Sequence, residues 1–250
     1  MAVVSRSGNP VMNDNTLRAI PRVVGVEAMT TGGSVNKTLI LLGLSILTAA
    51  FTWNQFMAGA AFQPYLWGGA IGGLVIALVT VFKKEWSPIT APLYALVEGL
   101  VLGGMSAMFE ASYPGIAFQA VALTFGVMFA MLFAYQQRWV QVTEKFRMGL
   151  IAATGGIMLV YVISMVIGFF GMEIPFIFGS GPIGIGFSLL VVGIAAFNLV
   201  LDFDFIEKGA NAQLPKYMEW YAAFGLMVTL IWLYLEILRL LAKLRGGDRR

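Results

Sequence analysis

The sequence lacks cysteine and histidine entirely. Disulfides, zinc sites built on Cys or His, and haem held by His are therefore excluded. Catalytic units of the Ser-His or Cys-His type are excluded as well, because their general base is missing. We accordingly expect a protein that is not an enzyme and that needs no cofactor.

Charged residues are also scarce. They make up 12% of the 250 residues, about half the roughly 25% of a typical soluble domain, whereas 59% are hydrophobic. A soluble globule of this length could not bury so much apolar surface, so the lipid bilayer is predicted to be the main solvent. The net charge of +3 fits loop charges that orient a membrane protein, and we expect no nucleic-acid partner.

Apolar runs alternate with short polar breaks from residue 37 onward. A membrane-spanning helix needs roughly 20 mainly apolar residues. Turn-forming glycine and proline residues occupy most of the breaks. The pattern predicts an all-α integral membrane protein with seven transmembrane helices, at 38–56, 64–82, 88–109, 115–136, 148–171, 182–206 and 217–243.

Residues 1–36 have a different composition, with charges dispersed among Ser, Gly, Asn and Thr. This segment is predicted to be a cytoplasmic N-terminal tail, partly disordered, with one short helix that starts near 13–15. Residues 37–250 then form the seven-helix transmembrane domain.

Lysine and arginine alternate between successive breaks, which sets the orientation. The breaks at 57–63, 110–114 and 172–181 contain no Lys or Arg, whereas the tail and each of the other breaks contain at least one of these residues. The N-terminus is therefore predicted to be cytoplasmic. A full crossing by the last helix would put five basic residues outside the cytoplasm, against the usual excess of Lys and Arg on the cytoplasmic side. The last helix therefore either crosses fully or re-enters and returns. Its length favours a full crossing.

Ionisable residues inside a bilayer are functional candidates by default, because their charge is costly there. Glu98 lies about ten residues, or roughly 15 Å, into the third predicted helix. Tyr94 precedes it by one turn. Gly99 and Gly103 belong to a small-residue face that favours close packing of helices. They are also expected to leave a hydrated space beside Glu98, which makes Glu98 a candidate for contact with a cation or proton.

Two aspartates end the sixth predicted helix. Asp202 shares a helix face with Asn198, whereas Asp204 lies about 200° around the helix from Asp202. Only one of the two aspartates is therefore expected to point inward, and Asp202 is the preferred candidate. Asp204 has Lys208 four residues later, a spacing typical of a surface ion pair.

The last predicted helix contains one acid near its end. Glu236 precedes Arg239 by three residues, so it forms either an interfacial ion pair with Arg239 or an inward-facing carboxylate. Thr229 lies seven residues before Glu236, on the same stripe of the helix.

Three segments resemble the Bax inhibitor-1 (transmembrane BAX inhibitor motif) family, in particular its bacterial members. They are Ala91-Pro92-Leu93-Tyr94-Ala95-Leu96-Val97-Glu98-Gly99-Leu100, Leu201-Asp202-Phe203-Asp204-Phe205-Ile206, and the stretch from Trp220-Tyr221 to Leu240-Leu241. Their order within seven spans makes the resemblance specific, and it covers the chain from about residue 38.

The resemblance implies a seven-helix fold with the last helix at its centre, and a pH-sensitive calcium leak. It implies a sensor made of two aspartates, of which the first corresponds to Asp202. An ungapped match places Thr229 at the second position, whereas a shifted match places Glu236 there. Because Thr229 cannot ionise, the ungapped match predicts a weaker pH response. No cationic partner for the aspartate is evident, since Arg138 and Arg147 are assigned to a loop.

Oxygen ligands suit calcium, so Asp202 and Glu98 are the candidates for cation contact. The favoured hypothesis is a multi-pass protein of the bacterial inner membrane that leaks calcium or another cation. The alternative is a non-conducting regulator that binds a membrane protease or another membrane complex. An intramembrane aspartyl hydrolase is disfavoured, because Asp202 and Asp204 on one helix do not face each other.

Overall fold

The computed structural model describes residues 28–170 and 179–247. These residues form seven long helices and one short 3-10 turn, and all seven long helices are apolar enough to span a membrane, as predicted. The helices are α1 (Thr31–Met57), α2 (Gln63–Phe82), α3 (Ser87–Ser112), α4 (Ile116–Gln136), α5 (Glu144–Phe169), α6 (Pro182–Asn211) and α7 (Met218–Gly247), and the 3-10 turn is Lys84–Trp86.

Local sequence signals explain where most helices begin. Pro64, Pro88 and Pro182 each lie in the first turn of a helix, where the missing N–H leaves no hydrogen bond unmade. The Thr30 and Thr143 side chains accept hydrogen bonds from the first-turn amides of α1 and α5.

Helix α1 begins at Thr31, six residues before residue 37, the predicted start of the transmembrane domain. The Thr30 cap starts the helix at Thr31, and the chain just before it is fixed by a hydrogen bond from the Met29 amide to the Leu214 carbonyl. The segment from residue 28 to residue 36 therefore belongs to the bundle. The rest of the predicted tail, with its short helix near 13–15, lies outside the described residues.

Helix α7 occupies the centre of the bundle, as the resemblance implied. It packs against α1, α3, α4 and α6, whereas α2 packs mainly on α3, and α5 mainly on α6. Most of the α7 residues are buried, and they include the fully enclosed Phe224, Met227 and Leu233. The surrounding helices instead expose many large apolar side chains, as expected of surfaces that face lipid.

Helix α7 is one uninterrupted helix from Met218 to Gly247, without the break that a segment which re-enters and returns would contain. Its last turns lie beside the start of α4, where the Arg245 guanidinium donates hydrogen bonds to Pro114 and Gln119. The Lys243 ammonium is buried against Gly184 and Ser188 at the start of α6. Lys243 and Arg245 thus have hydrogen-bond partners within the protein. These partners accommodate basic residues whose predicted position outside the cytoplasm was unusual.

Candidate functional site: buried carboxylates in the bundle

The aspartates of α6 lie in a stretch that protein surrounds on every side. Asp202 is 0% exposed and Asp204 is 8% exposed. The expectation that only one of them points inward is wrong. Near its end, α6 is covered by α7 on one side and by α4 and α5 on others, so all residues from Asn198 to Ile206 are buried.

Asp204 joins α6 to α5 through an ion pair. Its Oδ2 atom lies 2.7 Å from the Arg147 guanidinium and 2.7 Å from the Lys208 ammonium. The pair with Lys208 follows the predicted spacing. The pair with Arg147 was missed, because Arg147 lies in the first turn of α5 rather than in a loop. Arg147 is 2% exposed, so a cationic partner for the acids of α6 does exist within the bundle.

A second polar contact connects α5 and α6 further along. The Asn198 side-chain amide donates to the Thr154 hydroxyl at 2.9 Å and to the Ile194 carbonyl at 2.9 Å. Asp202 lies between this contact and the Asp204–Arg147 pair along α6. The end of α6 therefore presents a polar interface to α5 within otherwise apolar helices.

Thr229 of α7 lies closer to the level of Asp202 than Glu236 does. Helices α6 and α7 run antiparallel, and their contacts give the register: Lys243 meets Ser188 at 2.8 Å and Gly184 at 3.0 Å, and the Phe205 and Tyr221 rings lie 6.5 Å apart. Counted from these contacts, the level of Asp202 falls at residues 224–229 of α7. The buried Thr229 hydroxyl donates to the Gly225 carbonyl of its own helix at 3.3 Å.

Glu236 lies about 10 Å further along α7 than Thr229, at 1.5 Å per residue. It is 1% exposed, and its Oε1 atom accepts hydrogen bonds from the Tyr161 hydroxyl at 2.7 Å and from Arg239 at 2.8 Å. Both sequence interpretations therefore apply, since Glu236 is paired with Arg239 and is also buried. The geometry favours Thr229, and not Glu236, as the position opposite Asp202.

Glu98 is half-buried and faces α2. A Cβ atom built on Gly73 of α2 would lie 2.7 Å from a Glu98 carboxylate oxygen. The expected hydrated space beside Gly99 and Gly103 does not exist, because both glycines are pressed against the backbone of α1. A Cβ atom on Gly99 would lie 2.3 Å from the Ser45 carbonyl oxygen.

Glu98 and Asp202 lie on helices that do not pack side by side. No group of three Asp or Glu residues that could hold a metal ion occurs among residues 28–170 and 179–247. The cation contacts predicted for Asp202 and Glu98 are therefore two separate predictions, and not one joint site.

Glu219, at the start of α7, is a buried acid that sequence reasoning missed. It is 0% exposed, and it receives ion pairs from Lys37 and Lys216 and hydrogen bonds from the Thr30 amide and hydroxyl. The sequence offers one signal, the spacing of three residues between Lys216 and Glu219. The contacts with Thr30 and Lys37 are visible only in the folded bundle.

Six helices around a buried central seventh, all long and apolar enough to span a membrane, define a multi-pass membrane protein with acids enclosed in its bundle. The family model described as Bax inhibitor 1 like matches residues 9–246, nearly the whole chain. The protein therefore belongs to the Bax inhibitor 1 like family. No curated protein and no solved structure matches the chain.

Proposed function

We propose that this protein is a pH-sensitive leak for cations, with calcium as the transported ion, in the inner membrane of a bacterium. The N-terminus lies in the cytoplasm, and the protein catalyses no reaction and needs no cofactor. The observation that carries this proposal is the enclosure of Asp202 and Asp204 within a spanning helix, beside the buried Arg147.

The energetics of buried charge support a role for these acids beyond packing. A charged side chain at membrane depth is costly and tends to be retained where ions or protons are handled. The negative charge of Asp204 holds the buried Arg147 and so connects α6 to α5. Carboxylate oxygens are also ligands that calcium prefers.

Thr229 bears on the pH response. Two carboxylates that face each other share a proton and titrate as a pair. Thr229 cannot ionise, so the ungapped match with the family leaves no second carboxylate at this position of α7. We therefore expect a shallow dependence of flux on pH, and Thr229→Asp should make that dependence steeper.

Calcium flux into liposomes that contain the purified full-length protein tests the proposal. The dye-reported flux should exceed that of empty liposomes and should change between acidic and neutral pH. Asp202→Asn should weaken the pH dependence while leaving the protein folded. Glu85→Gln is the matched control, because Glu85 is an exposed acid in the 3-10 turn, and it should behave like the wild type.

A folded wild-type protein that gives no cation flux at any pH would overturn the proposal. It would favour the alternative, a non-conducting regulator of another membrane complex. Equal pH profiles for Asp202→Asn and Glu85→Gln would remove Asp202 from the sensor.

A further inference from the structure

A deep groove opens between α1 and α4. These two helices have no extensive contact with each other, and both pack on α7. The groove has a volume of about 840 Å³, and its floor is formed by Phe203, Ile206 and Leu226 of α6 and α7. A second cavity of about 170 Å³ continues it along the same two helices, because Leu42 and Phe125 line both cavities.

The mouth of the groove faces lipid. Leu39 of α1 is 62% exposed and Phe129 of α4 is 60% exposed, and these two residues line its opposite rims. Water gains little in a space with apolar walls, whereas the surrounding acyl chains match such walls. A lipid chain is therefore the occupant that the chemistry of the groove favours.

The dimensions suit one acyl chain. The two cavities extend along α1 from Thr31 to Ala49, which is about 27 Å at 1.5 Å per residue. That length accommodates one acyl chain, which fills half of the roughly 30 Å hydrocarbon core, or about 15 Å. The larger cavity also lies within the range of about 300–1,000 Å³ that is typical of sites for small molecules.

Charged groups of both signs line one end of the groove. Arg138 is exposed in the turn after α4, and Glu207 of α6 accepts a hydrogen bond from the Tyr135 hydroxyl. Trp139, next in sequence, is 73% exposed, as is typical of a tryptophan at the level of lipid headgroups. A guanidinium suits a phosphate, and a carboxylate suits an ammonium group that can donate hydrogen bonds.

We propose that the groove between α1 and α4 binds one phospholipid with a primary ammonium headgroup. One acyl chain lies along the groove, the phosphate lies at Arg138, and the ammonium group lies at Glu207. The proposal is independent of cation conduction, and it holds whether or not the protein conducts.

Native mass spectrometry of the full-length protein, titrated with single phospholipids in detergent, tests the site. The wild type should retain one phosphatidylethanolamine molecule in preference to phosphatidylcholine, whose methylated headgroup cannot donate to Glu207. The wild type should also retain phosphatidylethanolamine in preference to phosphatidylglycerol, which has no ammonium group. Arg138→Gln should weaken retention about tenfold, because a hydrogen bond to a charged group is lost. Lys145→Gln is the matched control, since Lys145 is an exposed cation seven residues after Arg138 that does not line the groove.

Two further variants separate the headgroup from the chain. Glu207→Gln should abolish the preference for phosphatidylethanolamine over phosphatidylcholine without abolishing phospholipid retention. Leu39→Trp should block the mouth and reduce retention of every phospholipid, whereas Leu47→Trp, which is equally exposed to lipid on α1 but outside both cavities, should not. The proposal would be overturned if the folded Arg138→Gln and Lys145→Gln proteins retained phospholipid equally. Equal retention by folded Leu39→Trp and Leu47→Trp would also overturn it. Tighter binding of phosphatidylglycerol than of phosphatidylethanolamine would do the same.

Discussion

At the scale of single residues, Glu219 shows how the bundle accommodates a buried charge. A carboxylate removed from water is strongly destabilising unless it is paired and hydrogen-bonded. Glu219 receives two lysine ammonium groups and two donors of Thr30. Its carboxylate also rests directly on the backbone of α1, since a Cβ atom on Gly33 would lie 2.0 Å from Glu219 Oε1.

Gly33→Ala should therefore lower the thermal unfolding midpoint in detergent, because the new methyl group must displace Glu219 from its donors. Overpacking of this kind costs about 1–3 kcal/mol in buried sites. Gly32→Ala is the control, because no atom lies within 4 Å of its added Cβ. It should stay within about 1 kcal/mol of the wild type, the size of the difference in helix propensity. Equal midpoints for the two variants would show that the Glu219 carboxylate is not fixed in this position.

Asp204 gives a second prediction at the residue scale. Asp204→Asn replaces the carboxylate 2.7 Å from the buried Arg147 guanidinium by a neutral amide. Removal of one member of a buried ion pair costs about 3–5 kcal/mol, so the unfolding midpoint should fall clearly. Lys208→Gln should cost only about 0.3–0.5 kcal/mol, because the Lys208 side chain is 41% exposed. If both variants unfold at the same temperature, the Asp204–Arg147 pair does not stabilise the bundle.

At the scale of helices, α1 and α3 form the most extensive pairing in the bundle, and glycine makes it possible. Small residues let spanning helices approach closely enough for backbone contact. A Cβ atom on Gly103 would lie 2.1 Å from the Ala49 carbonyl oxygen, and the same face of α3 carries Gly99. The small-residue packing face predicted at these glycines is therefore confirmed, whereas the hydrated space that was also expected there is not found.

Gly103→Ala should push α1 away from α3 and destabilise the protein by about 1–3 kcal/mol. Gly126→Ala in α4 is the matched control, because its added Cβ meets no atom within 4 Å. Thermal unfolding in detergent should separate the two variants. A Gly103→Ala protein as stable as Gly126→Ala would mean that α1 adjusts without cost.

At the scale of the whole molecule, we expect seven crossings to put the start of α1 and the end of α7 on opposite sides of the membrane. The end of α7 lies beside the start of α4, whereas the start of α1 lies beside Glu219 at the other end of α7. Arg239, Lys243 and Arg245 each have partners in the protein, which lowers the cost of carrying positive charge across.

A reporter that is active only in the periplasm should therefore be active when it is fused to the C-terminus in a bacterial inner membrane. A reporter that is active only in the cytoplasm should be active at the N-terminus. Cytoplasmic activity at both ends would contradict the crossing of α7.

Particular residues show how far sequence reasoning reached into the site. The pairs of Asp204 with Lys208 and of Glu236 with Arg239 were predictable, because they lie one helical turn apart. The burial of both Asp202 and Asp204 was not predictable, because helical geometry gives the angle between two side chains but not the number of neighbouring helices. The position of Thr229 relative to Asp202 was likewise not predictable, because it depends on the register between α6 and α7.

The sequence by itself determined the number and the approximate positions of the seven spans, because the thickness of the bilayer requires a long apolar run from each helix separately. The central place of α7 was expected only through family resemblance, and its contacts come from the folded bundle. Tertiary structure alone decided that Arg147 meets Asp204, that Lys37 meets Glu219, and that Gly103 meets Ala49. The reason is physical: membrane insertion depends on each segment's own hydrophobicity, whereas a buried charge or a glycine contact depends on which helix packs beside it.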